Sequence, residues 1–420
     1  MNGMCGWFGG GLVQDAPQVL ARMSRSLGVA NAGGASHTAS HRALYQTATK
    51  QQPVLEQHGI SAAICGHVRW KDSELDSLSK SHGYPVVLIE AYRRHGESLL
   101  HYIDGHFALV ILDPERQRVL LAVDRIGTHP MCYAQTNDGT LVFGSTTDAV
   151  REHPNIELKV SMQSLYDYIY FHMIPSPETV YTGIHKLEPA QCLMLENGKV
   201  RLRFYWQPAF VESSGKKFGE LQDKFLKIMR DAVARCDPDE HTGAFLSGGT
   251  DSSTVSGMLA GIQPNVARTY SIGFAAEGYD EISYARIASK HFHTQQHEYY
   301  VTPQDVADAI PHIARAYDEP FGNNSAVPTY VCAQNARAAG FTRMLAGDGG
   351  DEIFGGNARY AKQKLFENYA RLPAVLRRGM IEPLVHLPGL SDRFPLAKLK
   401  SYVRQANIAL PLRLESYNFL

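Results

Sequence analysis

The stretch Phe245-Leu-Ser-Gly-Gly-Thr-Asp-Ser-Ser-Thr-Val255 sets the reading of the C-terminal half of the chain. Before it stands a short apolar run, Thr242-Gly-Ala-Phe-Leu246, that reads as a strand. After it a helix-like pattern continues to Ile262. Strand, Gly-rich turn and helix in succession put the turn beyond the carboxyl end of a strand, where parallel sheets hold ligands. Gly248 and Gly249 let the backbone approach a ligand and take positive φ. The following helix aims its free N–H groups and its dipole at the same point, which favours an anion. Ser247, Ser252 and Ser253 add hydroxyl donors. The combination suits phosphate or pyrophosphate; a serine-rich helix cap without a ligand is the plain alternative. Asp251 would repel a phosphate unless a cation bridged the two, so it reads as a Mg²⁺ ligand. The string is not a Walker A loop, which needs GxxxxGK followed by Ser or Thr.

Outward from this loop, strands and helices alternate. Thr242–Leu246, Ala267–Phe274, Gln295–Val301 and Thr342–Asp348 read as strands. Phe218–Cys236, Ser252–Ile262, Asp280–Phe292 and Val327–Gly340 read as helices. Alternation of this kind argues a parallel sheet with helices on both faces. A second Gly-rich string, Leu345-Ala-Gly-Asp-Gly-Gly-Asp-Glu-Ile-Phe-Gly-Gly356, follows the last strand and carries Asp348, Asp351 and Glu352. Clustered acids at a strand end make a second metal or substrate anchor, or else a solvated acidic turn. Arg286 reads equally as a phosphate contact or as half of a surface salt bridge. The chain beyond Asn368 reads as helical and as a cap on the sheet.

The first 150 residues read differently. Ser61–Val68, Phe107–Asp113, Arg118–Asp124 and Thr140–Ser145 are strand-like, and Asn137-Asp138-Gly139 is a hairpin signal. Pro85–Gly96 reads as a helix ending at its glycine. From 155 to 215 the pattern loosens around four prolines, then forms a strand pair turning at Asn197-Gly198.

Composition excludes several classes. The chain has 420 residues and a formal net charge of -1, with no clustered Lys/Arg excess, so no nucleic-acid partner is expected. No run reaches the ~18 apolar residues of a membrane helix, and the start does not read as a signal peptide. The six cysteines are scattered without a CxxC pair, which argues against a disulfide scaffold or zinc site and fits a reducing cytoplasm.

These strings, in this order, resemble the asparagine synthetase family. The matching segments are LSGGTDSS, SIGF, YDE, DEPF followed by VPTY, and GDGGDE. The N-terminal MCGWFG, YIDGHFALVILD and LLAVDRIGTHPMCY resemble the family's class II glutamine amidotransferase half. The resemblance implies an N-terminal α+β amidotransferase-like sandwich (1–155), a connecting segment (156–216), and a C-terminal parallel-sheet α/β ATP pyrophosphatase-type domain (217–420) that is shorter than usual. It implies that Mg-ATP adenylates the side-chain carboxylate of aspartate with release of pyrophosphate. Ammonia from glutamine then attacks the acyl adenylate. Ser247 to Ser253 hold pyrophosphate. Leu246 and Ile272 flank adenine, and Ala346 and Gly347 lie beside the nucleotide. Asp251 and Asp351 bind Mg²⁺, and Asp348 stands near aspartate. Cys5 is the implied nucleophile, and Gly66, Asp104 and Arg42 are the implied glutamine contacts. A homodimer is one assembly left open.

The same comparison exposes departures. A nucleophile of this class uses its own α-amine as base, so the resemblance implies translation from Met4 and removal of that Met. Cys65 stands where the family has an Asn that donates to the oxyanion, and such a donor is worth about 10²–10³ in rate. Arg42 is one place off the family's Arg. Free ammonia, a different acceptor carboxylate (as in lactam-forming relatives), and a nucleotide-binding protein with a decayed glutaminase half stay open as alternatives.

Overall fold

The computed structural model describes residues 3–27, 34–39, 41–47, 54–211, 215–263, 265–274, 281–356, 358–385, 396–410 and 412–415. The chain divides into two compact units. The first is Met1–Glu212 together with Ala314–Asn323, and the second is Ser213–Ile313 with Asn324–Leu420.

Unit 1 contains strands β1 (Met4–Phe8), β2 (Gly34–Ala39), β3 (Arg42–Thr47), β4 (Val54–Gln57), β5 (Ile60–Trp70), β6 (Ile103–Asp113), β7 (Arg118–Val123), β8 (Cys132–Gln135), β9 (Leu141–Gly144), β10 (His185–Lys186), β11 (Gln191–Glu196) and β12 (Lys199–Phe204). They form two six-stranded antiparallel sheets, ordered β10-β8-β9-β1-β3-β2 and β12-β11-β7-β6-β5-β4. The period-2 alternation of the strands builds the layers. On β1, Met4 and Phe8 join a core that also holds Ala63, Cys65, Val110 and Phe143. Cys5 and Trp7, pointing the other way, pack with Val19, Leu20 and Met23 of helix Ala16–Arg25. On β5, Ile60, Ala62 and Ile64 pack with Leu75, Val87 and Leu88, from helices Ser73–His82 and Tyr84–His95. The result is a sandwich with helices on both outer faces. A buried amide links its sheets: Gln46 of β3 donates to Ile64 O of β5 at 2.8 Å and accepts from Ile64 N at 3.2 Å.

Residues 156–211 do more than connect. Strand β11 pairs with β7 and β12, so this stretch completes the second sheet. Asn197 and Gly198, both at positive φ, make the expected hairpin turn. Residues 314–323, read in the sequence as part of the C-terminal sheet region, also belong to unit 1. Asp318 accepts from the backbone N of Thr147 at 2.6 Å. Glu319 accepts from Val180 N at 3.2 Å and pairs with Lys186, and Gly322 N donates to His172 O at 2.8 Å.

Unit 2 holds a parallel sheet of β13 (Thr242–Phe245), β14 (Arg268–Phe274), β15 (Gln295–Val301) and β16 (Arg343–Leu345), ordered β15-β14-β13-β16. Val233, Val255 and Leu259 from helices Phe218–Ala234 and Thr250–Ala260 pack with Ala244 and Ala267. Cys332 and Ala336 of helix Ala326–Ala338 pack with Tyr270 and Phe341. The C-terminal helices Ala358–Ala370, Glu382–Val385 and Leu396–Ala406 pack on one another around Phe366, Tyr369, Val385 and Val403.

Candidate active site

In unit 2 the two Gly-rich strings leave adjacent parallel strands, β13 and β16. Leu246 is 1% exposed. Its N–H donates to Tyr270 O at 2.9 Å, and its carbonyl accepts from Ser271 Oγ at 2.7 Å. That anchors the first loop to β14, whose Ile272 is half-buried alongside. Gly248 then turns at φ 90°, and a Cβ there would stand 2.6 Å from Ala285 N. Only glycine fits both constraints.

The loop is pre-organised by its own hydroxyls. Ser247 and Ser252 share a 2.9 Å hydrogen bond, Ser247 N donates to Ser252 Oγ at 3.2 Å, and Gly249 N donates to Ser247 Oγ at 3.3 Å. Gly249 caps helix Thr250–Ala260 without a side-chain bond to its N-terminus. Ser252 and Ser253 sit in the first turn.

The second string closes onto this one. A Cβ on Gly347 would stand 2.8 Å from the Asp251 carbonyl carbon and from Ser252 N, and a Cβ on Gly350 would overlap the Asp251 carboxylate. Asp251 is therefore half-buried against Gly347 and Gly350. Asp351, one residue on, lies with its carboxylate against Gly356, while Ala346 and Asp348 are exposed. Among the described residues no three His, Cys, Asp or Glu side chains converge on one metal position. Two carboxylates on abutting loops nevertheless suit Mg²⁺, which takes one or two together with phosphate oxygens and water.

Arg286 is committed elsewhere: its guanidinium makes a two-pronged pair with Glu298 at 2.8 and 2.7 Å. Of its two readings, the salt bridge holds.

In unit 1 the expected glutamine-site residues are dispersed. Cys5 is fully buried under the helix layer, and burial pushes its thiol far above the ordinary range. Just before it, Met4 N donates to Ser145 Oγ at 3.0 Å and Gly3 N to Thr47 Oγ1 at 3.0 Å. Arg42 lies opposite Phe8, whereas Cys5 lies opposite Tyr45. Three residues of strand separate Arg42 from the Cys5 level, roughly 10 Å. Arg42 pairs instead with Glu56 at 3.5 Å. Asp104, on β6 of the other sheet, is paired with Arg125 at 2.7 Å and Lys71 at 3.5 Å. Cys65 faces the inter-sheet core, its thiol pushed up to about 12 by burial. Gly66 bends β5 at φ 107°, and a Cβ there would overlap His106 O.

Sequence reasoning missed the residue that organises this edge. Asp124 is buried, and its carboxylate accepts from Phe107 N, Ile126 N, Gly127 N, Thr128 N and Thr128 Oγ1 at 2.9–3.2 Å. The loop it ties presents Arg125 to Asp104 and His129 to His106. Its signal was present in Asp-Arg-Ile-Gly, since Asp caps turns in this manner.

Comparison with known proteins bears on both units. The profile described as "Asparagine synthase" matches residues 224–415, and "Glutamine amidotransferase domain" matches residues 65–206. A Methanocaldococcus jannaschii protein that carries an asparagine synthetase (glutamine-hydrolyzing) name is 34% identical over 298 residues, covering 69% of this chain and 57% of that protein. The chain belongs to the asparagine synthetase family. Asparagine synthetase (glutamine-hydrolyzing) 1 of Bacillus subtilis is 26% identical over 308 residues, covering 72% of this chain and 47% of that protein. The chain thus spans about half the length of the curated relatives it matches. A solved structure of the allosteric regulatory enzyme of purine biosynthesis aligns with 82% of this chain and 89% of that one, at 12% identity. Its TM-score of 0.36 is too low to carry an argument. Among the described residues no helix is long and apolar enough to cross a membrane.

Proposed function

We propose that this chain is an ATP-dependent carbon–nitrogen ligase that amidates the side-chain carboxylate of aspartate. The observation that carries the reading is the seating of Gly347 and Gly350 on Asp251, which joins two loops at the carboxyl end of one parallel sheet. A carboxylate resists amine attack, and attack of its oxygen on the α-phosphorus of ATP converts it to an acyl adenylate with pyrophosphate as the leaving group. Ser247, Gly248, Gly249, Ser252 and Ser253 hold the pyrophosphate through hydroxyls and backbone N–H groups at the helix start. Leu246, Ile272, Ala346 and Gly347 border the nucleotide. Asp251 and Asp351 would hold Mg²⁺, whose charge offsets that of the departing pyrophosphate. Asp348, exposed on the same loop, receives the α-amine of aspartate. Ammonia then displaces AMP.

Unit 1 stands in this reading as the amidotransferase-like part, supplying ammonia from glutamine through Cys5, with Gly66 and Asp104 beside the substrate and Arg42, paired with Glu56, not joining them. A second reading is favoured by unit 1 itself. Cys5 is fully buried, and Asp104 is already paired with two cations. On that reading the nitrogen donor is free ammonia. Pyrophosphate release from Mg-ATP and aspartate, with glutamine in one sample and ammonium in another, separates the two. Release with both supports glutamine; release with ammonium alone supports the second; no release with either contradicts the ligase reading.

A further inference from the structure

Beside Gly66 in unit 1, His106 contacts His129, and His67 lies next to His106; none of the three histidines has a role above. His67 and His106 are cross-strand partners on β5 and β6, with ring centroids 6.2 Å apart. His129 comes from the loop that Asp124 ties, and stacks on His106 with centroids 5.3 Å apart. His106 Nδ1 and His129 Nε2 are 3.0 Å apart. Two glycines keep this edge open: Gly66 and Gly105 both have strongly positive φ, and a Cβ on Gly66 would stand 3.0 Å from His129 Nε2.

We propose that His106 and His129 form a site for a divalent transition-metal ion of the Zn²⁺ or Ni²⁺ class, with His67 recruited as third ligand by a change of rotamer. Two imidazole nitrogens on a tetrahedral zinc, each at 2.0–2.1 Å, stand roughly 3.3 Å apart, close to the separation found here. Imidazole suits these ions, whereas Mg²⁺ and Ca²⁺ prefer oxygen. In the metal-free pair one of the two nitrogens carries the shared hydrogen. Binding moves that hydrogen to the ring's other nitrogen, so both lone pairs face the ion. The third ligand is not in place beforehand. His67 Nδ1 lies 3.1 Å from Tyr84 OH, and that contact must break for the ring to turn. The remaining positions are open to water.

The test uses the untagged full chain, Zn²⁺ and a chromogenic chelator, with Ni²⁺ as a second probe. Cys236→Ser serves as the background, because Cys236 is the one exposed thiol. The expected result is one tight equivalent per chain, weakened at least about tenfold in His106→Gln and in His129→Gln, and less in His67→Gln. Far-UV circular dichroism and the melting temperature establish that each variant is folded. If one variant fails to fold, the other carries the test. An unchanged affinity in a folded His106→Gln or His129→Gln chain, or the lack of a stoichiometric equivalent in the parent, overturns the proposal. The readout is metal binding, so it stands or falls independently of the ligase reading.

Discussion

Gly350 lies directly against the carboxylate of Asp251, so that no side chain larger than hydrogen fits between the two loops. This contact sets where Asp251 points. Gly350→Ala should displace the carboxylate and lower pyrophosphate release by about 10²-fold, as small misplacements of positioning groups do. The fold should be retained, since Gly350 is outside the sheet core. Steady-state pyrophosphate assays and a melting curve on the same sample check both halves. Activity near the parent's level would show that the contact is incidental.

The ion pair of Lys186 and Glu319 is nearly sheltered from water, with side-chain exposures of 16% and 14%. Lys186 also donates to Ile174 O at 3.1 Å. Removing one partner leaves the other charge buried, so Glu319→Leu should destabilise unit 1 by about 3 kcal/mol. The double change Lys186→Met with Glu319→Leu should cost much less than the single changes added together. Chemical denaturation of the four chains gives the cycle directly.

His153 is 1% exposed, and its ring is held down to about 4, chiefly by burial; Asp138 opposes the shift and Arg22 adds to it. Its Nδ1 accepts from Asn155 N at 3.3 Å, which needs an unprotonated nitrogen. The unfolded chain takes up this proton near pH 6.5 and the folded chain only near 4. Between those values the unfolded state binds more protons, so stability is whole above pH 6.5 and falls as pH drops toward 4, by about 3 kcal/mol in all. In His153→Gln this part of the acid sensitivity should vanish. Melting temperatures taken from pH 7 to pH 4 compare the slopes.

Of the six cysteines, Cys236 alone is exposed. A thiol reagent should label one site quickly in the native protein and all six after denaturation. Rapid labelling of Cys5 by peptide mapping would contradict its burial and restore it as a reactive nucleophile.

Much of the second unit was legible because local signals agree there. Strand-forming runs, Gly-rich turns and helical periodicity alternate in register with the structure from Thr242 to Phe354. The sandwich was legible as strand-rich, from the short apolar runs at β5, β6 and β7 set between turn signals and from the Asn197-Gly198 turn. What stayed hidden was non-local. Nothing in Tyr317-Asp-Glu-Pro announces that Asp318 and Glu319 bond to Thr147 and Val180, because those partners are about 170 and 139 residues away. Arg286 was ambiguous for the same reason: its partner Glu298 sits on the next strand. For the glutamine contacts, a motif position specifies which residue is present but not what its charge already binds, and Asp104 is claimed by Arg125 and Lys71.

The most direct measurement is pyrophosphate release from Mg-ATP, aspartate and ammonium by the parent chain and by Asp251→Asn. The account predicts release that requires aspartate and falls by at least about 10²-fold in the variant. Release that ignores aspartate, equal rates in the two chains, or no release by the parent would contradict it.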